Sequence, residues 1–357
     1  LINRMKPRIK LLFVLPTLGA GGAERILSFL AKNINKNNFE STLLIIGLES
    51  EAVFSLENTR VKFLNKKRVL FGIPAIITFL LDYKPNIVLS SIGHLNTVFG
   101  LLAPFFKKCK FVIREASVIS VMNKFSTASS LYKYLSKVAF YNIDAVICQS
   151  LDMANDFKQI YGISSRKIAI INNPITMMYP LKMNDNIDNL TKLITIGRLS
   201  KEKGHERLLD ILSKVEFPFQ YTIVGTGPEE HLINRKIDDL GLNDKITLIP
   251  FTDKIGDILG SHDIFLQGSY VEGFPNAILE SCVVGTPVVA FDCPGGTREI
   301  IEEDINGYLA KNNEDFLKKL TKINNRRWKP EDIRNSVIYK FNKQKILSQY
   351  EELLINL

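Results

Sequence analysis

"SYVEGFPNAILESCVVGTPVVAF", residues 269–291, contains the pattern that decides the fold. The overlapping apolar run "DIFLQGS" predicts a strand, "YVEGF" a loop, and "PNAILESCVVG" a helix that begins at Pro275 and ends before Gly285. "TPVVAFD" predicts the next strand. A strand, a helix and a second strand form a βαβ unit, so this stretch predicts a parallel sheet covered by helices.

The same alternation of short apolar runs and longer amphipathic stretches extends along the chain. The other predicted strands are "IKLLFVL", "STLLIIG", "NIVLSS", "KFVIRE", "DAVICQS" and "KIAIINNP" in the first half, and "KLITIGR", "FQYTIVG" and "KITLIPF" in the second. We therefore expect an α/β protein with two doubly wound domains. Poor periodicity places the seam within 172–190, giving domains over 1–176 and 177–335, and a C-terminal helix over 336–357 is expected to pack across both.

The composition restricts the class of protein. With 357 residues, 46% of them apolar and 23% charged, the chain can fill two ordinary cores and is not disordered. No uncharged apolar run reaches the ~18 residues of a membrane-spanning helix, and the start "LINRMKPRIK" lacks the pattern of a secretory signal. The four cysteines are scattered, which indicates neither a zinc site nor a disulfide framework. We therefore expect a cytoplasmic protein without a metal.

The charge is divided unevenly between the two halves. Residues 1–176 contain 23 Lys and Arg against 10 Asp and Glu, a net charge of +13. Residues 177–357 contain 23 against 27, a net charge of −4, and together the halves carry the stated +9. A basic half is typical of proteins that meet an anionic membrane surface or a nucleic acid, and a solvated basic surface is the simpler alternative.

Ligands of open α/β sheets bind beyond the carboxyl ends of the strands, and four loops there have suitable residues. After the first strand, Gly19, Gly21 and Gly22 let the backbone approach a phosphate at a helix start. The spacing differs from G-x-G-x-x-G because the sixth position is Glu24, which disfavours a dinucleotide. Such a turn also occurs simply where a strand enters a helix.

The next two loops belong to the second half. In "TIGRLSKEKG", Arg198 leaves a strand and Lys203 follows five residues later. Two cations on one loop suit a diphosphate, although they could equally be solvated loop charges. In "TIVGTGPEEHL", Gly225 and Gly227 form a strand-to-helix turn that suits a nucleotide or is only a tight turn.

The fourth loop, within the opening stretch, is followed by a helix, and each contains a glutamate. Glu272 lies in the loop after its strand, and Glu280 lies in the second turn of the helix. The amides of Phe274, Asn276 and Ala277 lie near the positive end of that helix. Carboxylates that accept sugar hydroxyls around an anion site fit a nucleotide sugar. The alternative is an exposed loop acid and a surface helix residue.

The order of these motifs resembles the retaining glycosyltransferases of family 4, which have the GT-B fold of two Rossmann-like domains facing each other across a donor cleft. The matching segments span nearly the whole chain and are "GAGGAER", "GRLSKEKG", "VGTGP", "EGFPNAILES" and "GTPVVAFDCPGGTREII". The resemblance implies transfer of a sugar from a nucleotide sugar to an acceptor hydroxyl, with retained anomeric configuration and without a metal or other cofactor. The first domain would bind the acceptor and the second the donor.

The resemblance also implies roles for single residues, carried over by position. Arg198 and Lys203 would neutralise the departing nucleoside diphosphate, and Glu272 would contact hydroxyls of the transferred sugar. The donor-binding residues would be Glu280 at the ribose, Phe274, Pro275 and Asn276 at sugar and phosphate, Gly225 and Gly227 in the nucleotide pocket, and Gly21 and Gly22 at the diphosphate upon domain closure.

His94, in "SSIGHLNTVFG", occupies a position where related enzymes have a histidine facing the donor sugar, so the resemblance adds it to the catalytic residues. From the residues alone it would be a core or helix-capping histidine. After the next strand the chain departs from the family, because Glu115 is followed by Ala116 instead of histidine. No acid is assigned to the opposite face of the sugar, so double displacement stays open beside the front-face attack that the resemblance favours.

The basic first half suggests the source of the acceptor. Basic residues cluster in 65–68, and basic and aromatic residues interleave in 105–111 and 121–142, which is typical of contact with an anionic surface. The residues expected along one amphipathic segment are Lys124, Tyr132, Lys133, Tyr134 and Lys137. We therefore expect a protein peripheral to the inner face of the cytoplasmic membrane, with a lipid-linked saccharide as acceptor.

The sequence does not fix the donor base or sugar. A UDP-hexose or UDP-N-acetylhexosamine is expected, and GDP-mannose is the alternative. A GT-B nucleotide-sugar epimerase would share the fold, but the chain has no further pairs of acid and histidine to support it. A nucleic-acid-binding protein would share the charge but would not use the glutamate pair or the glycine loops, so no nucleic acid partner is expected.

Overall fold

The computed structural model describes residues 7–19, 21–53, 56–125, 129–183 and 190–357. The chain groups into two compact units. Unit 1 consists of Leu1–Ser120, Thr127–Thr176 and Lys343–Leu357, and unit 2 consists of Val121–Ser126 and Met177–Asn342.

Within the described residues, two sheets are formed by parallel strands only. The strands of unit 1 are β1 (Ile9–Leu15), β2 (Phe39–Ile45), β3 (Arg60–Phe63), β4 (Ile87–Ser91), β5 (Lys110–Arg114), β6 (Ala145–Cys148) and β7 (Ile168–Ile170). Those of unit 2 are β8 (Thr191–Ile196), β9 (Phe219–Val224), β10 (Ile246–Ile249), β11 (Ile264–Gln267), β12 (Val288–Phe291) and β13 (Gly307–Ala310). The prediction of two doubly wound α/β domains is confirmed.

Helices connect most of the strands. The first seven are α1 (Gly22–Asn33), α2 (Val69–Tyr83), α3 (Gly93–Leu102), α4 (Ile119–Met122), α5 (Ser130–Tyr141), α6 (Leu151–Tyr161) and α7 (His205–Leu212). The others are α8 (Glu230–Asp239), α9 (Ile255–Gly260), α10 (Asn276–Val284), α11 (Thr297–Ile300), α12 (Asn313–Asn324), α13 (Pro330–Ile338) and α14 (Lys343–Ile355). No helix in these described stretches has the length and apolar character needed to cross a bilayer.

The strand order defines one switch point in each sheet. Unit 1 has the order β3-β2-β1-β4-β5-β6-β7, so the direction of winding reverses between β1 and β4. Unit 2 has the order β10-β9-β8-β11-β12-β13 and reverses between β8 and β11. Connections leave a switch point in opposite directions, which opens a crevice at the carboxyl ends of the two strands. The loops after β1, β4, β8 and β11 are therefore the expected binding loops.

The core of unit 1 lies on both faces of its sheet. Leu11 and Phe13 of β1 pack with α1 and α14 on one face, while the alternate residues Leu12 and Val14 pack with α2 and α3 on the other. Each fully buried aliphatic side chain contributes about 1.5–3 kcal/mol. In unit 2, β-strand residues pack with α7, α8 and α12 on one face.

The C-terminal stretch differs from the sequence prediction. The single helix expected over 336–357 is wrong in its bounds, because two helices, α13 and α14, are separated by residues 339–342. The buried residues of α14, Ile346, Tyr350 and Leu354, repeat at helical spacing and join the core of unit 1. α13 belongs to unit 2 and lies against α10.

Candidate active site

The switch point of unit 2 brings together two residues that are far apart in sequence. Lys203 ends a short 3-10 turn, Lys201–Lys203, in the loop after β8, and Glu272 lies in the loop after β11. Nζ of Lys203 is 2.7 Å from Oε1 of Glu272, and the two form a salt bridge. The sequence predicts both residues as ligand-binding but gives no sign that they contact each other.

Glu272 is buried, with 7% of its surface exposed, and its carboxylate is held by three donors. Besides Lys203, Oγ of Ser269 donates to Oε1 at 2.6 Å and Nε2 of Gln267 donates to it at 3.0 Å. Such charge-assisted hydrogen bonds stabilise an ionised carboxylate in a buried position. Because all three donors use Oε1, Oε2 receives no hydrogen bond from the described residues and can accept one from a ligand hydroxyl.

Arg198 precedes Lys203 in the same loop, and its side chain is exposed. Its guanidinium makes no ion pair within the described part of the chain, whereas its carbonyl accepts a hydrogen bond from the buried His205 ring at 3.0 Å. The backbone at Arg198 is thus fixed while the cation is available. Arg198 and Lys203 together give this switch point two cations, as a diphosphate site requires.

The second glutamate of the predicted pair lies on α10. Glu280 is half-buried in the second turn of this helix, Pro275 is its N-cap residue, and Asn276 is its first residue. The side chain of Phe274 is buried against Phe341, with ring centroids 5.2 Å apart. Phe274 therefore supports the core with its side chain, and its contribution to a ligand site would come from its backbone.

The glycines after β9 have a packing role in this fold. A Cβ atom at Gly225 would lie 2.0 Å from the carbonyl oxygen of Gly197, and one at Gly227 would lie 2.3 Å from that of Leu199. Only glycine lets the loop after β9 approach the loop after β8 this closely. The contact of Gly225 and Gly227 with a nucleotide stays a prediction.

The loop after β12 is hydrogen-bonded to the backbone of Glu272 and Gly273. The amide of Glu272 donates to the carbonyl of Pro294 at 3.0 Å, and the amide of Gly296 donates to that of Gly273 at 2.9 Å. Gly295 lies between these bonds with φ of 125°. A Cβ atom there would be 1.9 Å from the carbonyl oxygen of Glu272, so this glycine is required by both its conformation and its surroundings.

Arg207, on α7, is a supporting residue that sequence reasoning missed. Its Nε donates to the carbonyl of Gly268 at 2.5 Å, and its Nη2 donates to that of Ser269. The guanidinium carbon lies 3.9 Å from the ring centroid of Tyr270 and 3.5 Å from that of Phe291. Desolvation lowers the pKa of Arg207 to about 10. Arg207 therefore fixes the start of the loop that carries Glu272.

At the switch point of unit 1, the loop after β1 ends at Gly21, the N-cap residue of α1, and Gly22 is the first helical residue. A Cβ atom at Gly21 would lie 2.1 Å from Oε2 of Glu24, and Oγ1 of Thr17 donates to Oε1 of Glu24 at 3.2 Å. Burial raises the pKa of Glu24. A carboxylate of the chain itself thus lies over the predicted phosphate-binding glycines.

The loop after β4 holds His94 in the first turn of α3, where its side chain is exposed. Surrounding protein still desolvates the imidazole in part, and this lowers the pKa of His94. Two residues earlier, Ile92 has φ of 79°, a strained conformation for a β-branched residue. Amides of Leu95 and Asn96 both donate to the carbonyl of Ile92 at 3.0 Å and hold this turn in place.

Unit 1 also has a buried polar cluster at the end of β5. The Arg114 guanidinium donates to Oδ1 of Asn173 at 2.6 Å and to the hydroxyl of Tyr350 on α14 at 3.2 Å. Desolvation raises the pKa of the neighbouring Glu115 to about 7, although the Ala116 amide donates to Oε1 of Glu115 at 3.0 Å and Arg114 is close. Alanine thus stands at the family histidine position, directly after a buried carboxyl whose pKa is raised to about 7.

Glu115 predicts a pH dependence of stability. The folded chain keeps a proton on Glu115 that the unfolded chain releases between pH 4.5 and about 7, so the free energy of unfolding falls as the pH rises through this window. We expect Glu115→Gln to flatten that dependence and to raise stability at pH 8 by on the order of 1–3 kcal/mol. Urea unfolding at pH 5 to 8 measures it, with exposed Glu57→Gln as the control. Parallel curves for wild type and Glu115→Gln would contradict the prediction.

Two family models match the chain. One is described as Glycosyltransferase Family 4 and matches residues 20–177, and the other is described as Glycosyl transferases group 1 and matches residues 182–339. An "Uncharacterized glycosyltransferase" of Haemophilus influenzae is 25% identical over 86% of this chain and 88% of its own. The N-acetylgalactosamine-N,N'-diacetylbacillosaminyl-diphospho-undecaprenol 4-alpha-N-acetylgalactosaminyltransferase of Campylobacter jejuni is 26% identical over 83% and 84%.

Solved structures share the architecture. The lipopolysaccharide outer core galactosyltransferase WaaB, in its apo form, superposes with a TM-score of 0.76 at 17% identity, covering 98% of this chain and 99% of its own. Anabaena HepE in complex with UDP gives 0.79 at 19% identity, covering 98% and 100%. At these identities the likeness establishes the fold alone, which is the GT-B fold predicted from the sequence.

Proposed function

We propose that this chain, which belongs to the glycosyltransferases of family 4, transfers a hexose or N-acetylhexosamine from a UDP-sugar to a hydroxyl of a lipid-linked saccharide, with retained anomeric configuration. The reaction would serve bacterial polysaccharide or lipopolysaccharide biosynthesis, as in the relatives' names. The observation that carries the proposal is the Lys203–Glu272 pair at the switch point of unit 2, where a carboxylate that can accept sugar hydroxyls and a cation that can bind a diphosphate lie side by side.

The donor would bind to unit 2 through groups of opposite charge. Oε2 of Glu272 would accept a hydroxyl of the transferred sugar, while Arg198 and Lys203 would hold the diphosphate. Glu280 would accept from the ribose, and the first amides of α10 would add positive potential. In this arrangement the carboxylates would accept hydrogen bonds from the donor's hydroxyls, and the cations and backbone amides would bind its phosphates.

The chemistry would depend on charge neutralisation at the leaving group. As the bond between the anomeric carbon and the phosphate oxygen breaks, negative charge develops on the nucleoside diphosphate, and Arg198 and Lys203 would stabilise it without a metal. In front-face attack the acceptor oxygen bonds to the anomeric carbon, and its proton passes to the leaving phosphate oxygen. No separate general base is then needed.

The family resemblance also assigns donor contacts to residues at the switch point of unit 1, namely Gly21, Gly22 and His94. The carboxylate of Glu24 lies at the start of α1 in this structure. It would have to move before a phosphate could contact the amides of Gly21 and Gly22.

The donor assignment can be tested with nucleotides alone. We expect UDP and one UDP-sugar to raise the melting temperature of the wild type, in a panel that also contains GDP, ADP, CMP and their sugar conjugates. A response to GDP and GDP-mannose instead would replace the proposed donor. A panel without any response would contradict the transferase proposal itself.

Two relatives support the choice of donor and acceptor. The name of the Campylobacter jejuni relative gives a diphospho-undecaprenol-linked acceptor and an N-acetylgalactosaminyl group. HepE, which shares the fold, was crystallised with UDP. Incubation of the identified UDP-sugar with lipid-linked oligosaccharides, followed by mass spectrometry, tests the acceptor. Release of an altered free sugar without transfer would favour the epimerase.

A lipid-linked acceptor requires contact with a membrane, and α5 has a suitable surface. Its exposed side chains Leu131, Tyr134, Val138 and Tyr141 are 66%, 66%, 40% and 80% exposed and recur at helical spacing, which forms an apolar stripe. Lys133 and Lys137 flank this stripe and are also exposed. Among the residues predicted for this segment, Tyr132 is half-buried and bonded to Thr97, and Lys124 precedes α5.

Helix α2 adds a second apolar surface in the same layer. α3 contacts both α2 and α5 and is buried over Leu95–Gly100, and α2 and α3 share one face of the sheet. Leu70, Phe71 and Leu81 of α2 are exposed, and exposed basic residues 66–68 precede it. Apolar residues beside lysines on one layer suit an anionic lipid surface.

The membrane surface predicts a loss of lipid binding in a charge-reversed variant. Lys133→Glu with Lys137→Glu is expected to reduce binding to vesicles that contain anionic lipid by at least ~10-fold at low salt, because each lysine near such a surface contributes about 1 kcal/mol. Vesicle flotation measures it. Lys32→Glu with Lys36→Glu, on the α1 side of the sheet, makes the same charge change as a control. Equal losses in both variants would show a general charge effect, and a wild type that stays unbound would remove the membrane proposal.

A further inference from the structure

Gln267 is a polar residue in an apolar environment. It is the last residue of β11, after Ile264, Phe265 and Leu266, and it is only 6% exposed. A buried amide costs free energy unless its donors and acceptor are hydrogen-bonded, whereas leucine would fill this strand position without that cost. The presence of glutamine here calls for a function of the amide.

The two ends of the amide have different surroundings. Nε2 donates to Oε1 of Glu272 at 3.0 Å, while the buried Oε1 of Gln267 has no hydrogen-bond partner among the described residues. The opposite orientation of the amide would place its oxygen against the carboxylate. The bond to Glu272 therefore fixes Nε2 towards the carboxylate and Oε1 of Gln267 away from it. The amide therefore keeps the bond to Glu272 although its own oxygen is left unsatisfied.

The three donors to Glu272 differ in what a ligand would do to them. In the proposed function Lys203 also serves the diphosphate, so an arriving anion draws its ammonium away from Glu272. Gln267 is neutral and lies at the end of a strand, so an arriving anion does not attract it away from Glu272. With Ser269 it can keep Oε1 of Glu272 in place when Lys203 turns to the ligand.

We propose that Gln267 is a positioning residue for donor-sugar recognition, which holds one oxygen of Glu272 so that the other stays turned to a sugar hydroxyl. The inference rests on the proposed function of unit 2 and deepens it. Gln267 acts through Glu272 and not on the diphosphate. Its loss should therefore weaken recognition of the sugar and leave binding of the nucleoside diphosphate unchanged.

Gln267→Leu tests this separation. We expect the donor KM to rise by about 10-fold or more, as for the loss of a hydrogen bond to a charged group. The affinity for the nucleoside diphosphate alone, measured by calorimetry, should stay within about twofold of wild type. Gln220→Leu, at an exposed position of β9, is the matched control and should change neither value. If Gln267→Leu does not fold, Gln267→Met provides the same test with a side chain of similar shape.

Gln267→Glu adds a readout that a purely structural role would not change. At pH 8 two adjacent carboxylates would repel each other, while at pH 6 a protonated carboxyl could donate to Glu272 as the amide does. The kcat/KM of Gln267→Glu relative to wild type should therefore rise as the pH falls, and that of Gln267→Leu should stay flat. Equal pH profiles, or an unchanged donor KM in Gln267→Leu, would overturn the inference. A wild type that binds no nucleotide would instead overturn the proposed function.

Discussion

Replacing Lys203 with alanine is expected to lower kcat/KM by about 10²- to 10³-fold, the loss seen when one group that stabilises transition-state charge is removed. Lys203 lies next to the carboxylate proposed to bind the sugar, with Nζ 2.7 Å from Oε1 of Glu272. Its loss removes positive charge from the leaving diphosphate in the proposed reaction. Steady-state kinetics with the donor found in the nucleotide panel measures the effect.

The folded state should tolerate this change. Glu272 keeps the hydrogen bonds from Ser269 and Gln267 when the ammonium is gone, so its buried carboxylate is not left without donors. Lys201→Ala is the matched control, because Lys201 belongs to the same 3-10 turn and is exposed. We expect Lys201→Ala to stay within about threefold of wild type. Equal losses in the two variants would mean that the loop as a whole, and not the ammonium of Lys203, supports activity.

The strands that the sequence predicts and those that it misses differ in their residue patterns. The predicted strands have continuous β-branched or aromatic runs, because both faces of a parallel strand are covered. The sequence misses the edge strands β3 and β13, whereas the opposite edge strands, β7 and β10, contain such runs and are predicted. β3 alternates charged and apolar residues, and β13 begins with glycine and has no β-branched residue, so neither has the continuous run that identifies the predicted strands.

The candidate site was predictable where chain position alone determines it. Arg198, Lys203 and Glu272 follow predicted strands, and parallel strands bring their carboxyl ends to one edge, so the sequence assigns these residues to binding loops. The salt bridge between Lys203 and Glu272 was not predictable, because it depends on β8 and β11 being neighbours in the sheet. Strand order is a tertiary property that no local pattern contains.

The supporting residues were missed for a similar reason. Gln267 looks like the polar end of an apolar strand, and Arg207 looks like a solvated residue of an amphipathic helix. Their bonds to Glu272 and to the loop that carries it join residues 5 and 61 positions apart, respectively. The pattern of α14 likewise predicted a helix, but the pairing of Tyr350 with Arg114 follows only from packing in unit 1.

Gly295→Ala is expected to have the largest effect on stability. At φ of 125° an alanine is strained, and its Cβ atom would lie 1.9 Å from the carbonyl oxygen of Glu272. Strain and overpacking each cost about 1–3 kcal/mol, so we expect a loss of about 2–5 kcal/mol, or a fall in melting temperature of roughly 5–15 °C. Because backbone must move to relieve the clash, Glu272 would shift and donor affinity would fall as well. Thermal unfolding and nucleotide-sugar titration measure the two effects.

Gly241→Ala separates the two causes. Gly241 has φ of 63°, and a Cβ atom there would meet nothing within 4 Å, so this variant carries the conformational strain without the clash. We expect it to lose only about 1 kcal/mol and to keep full donor affinity. If Gly295→Ala is no less stable than Gly241→Ala, the loop after β12 can shift to relieve the clash without lowering the free energy of unfolding. The support of Glu272 by this loop would then be weaker than its two backbone hydrogen bonds suggest.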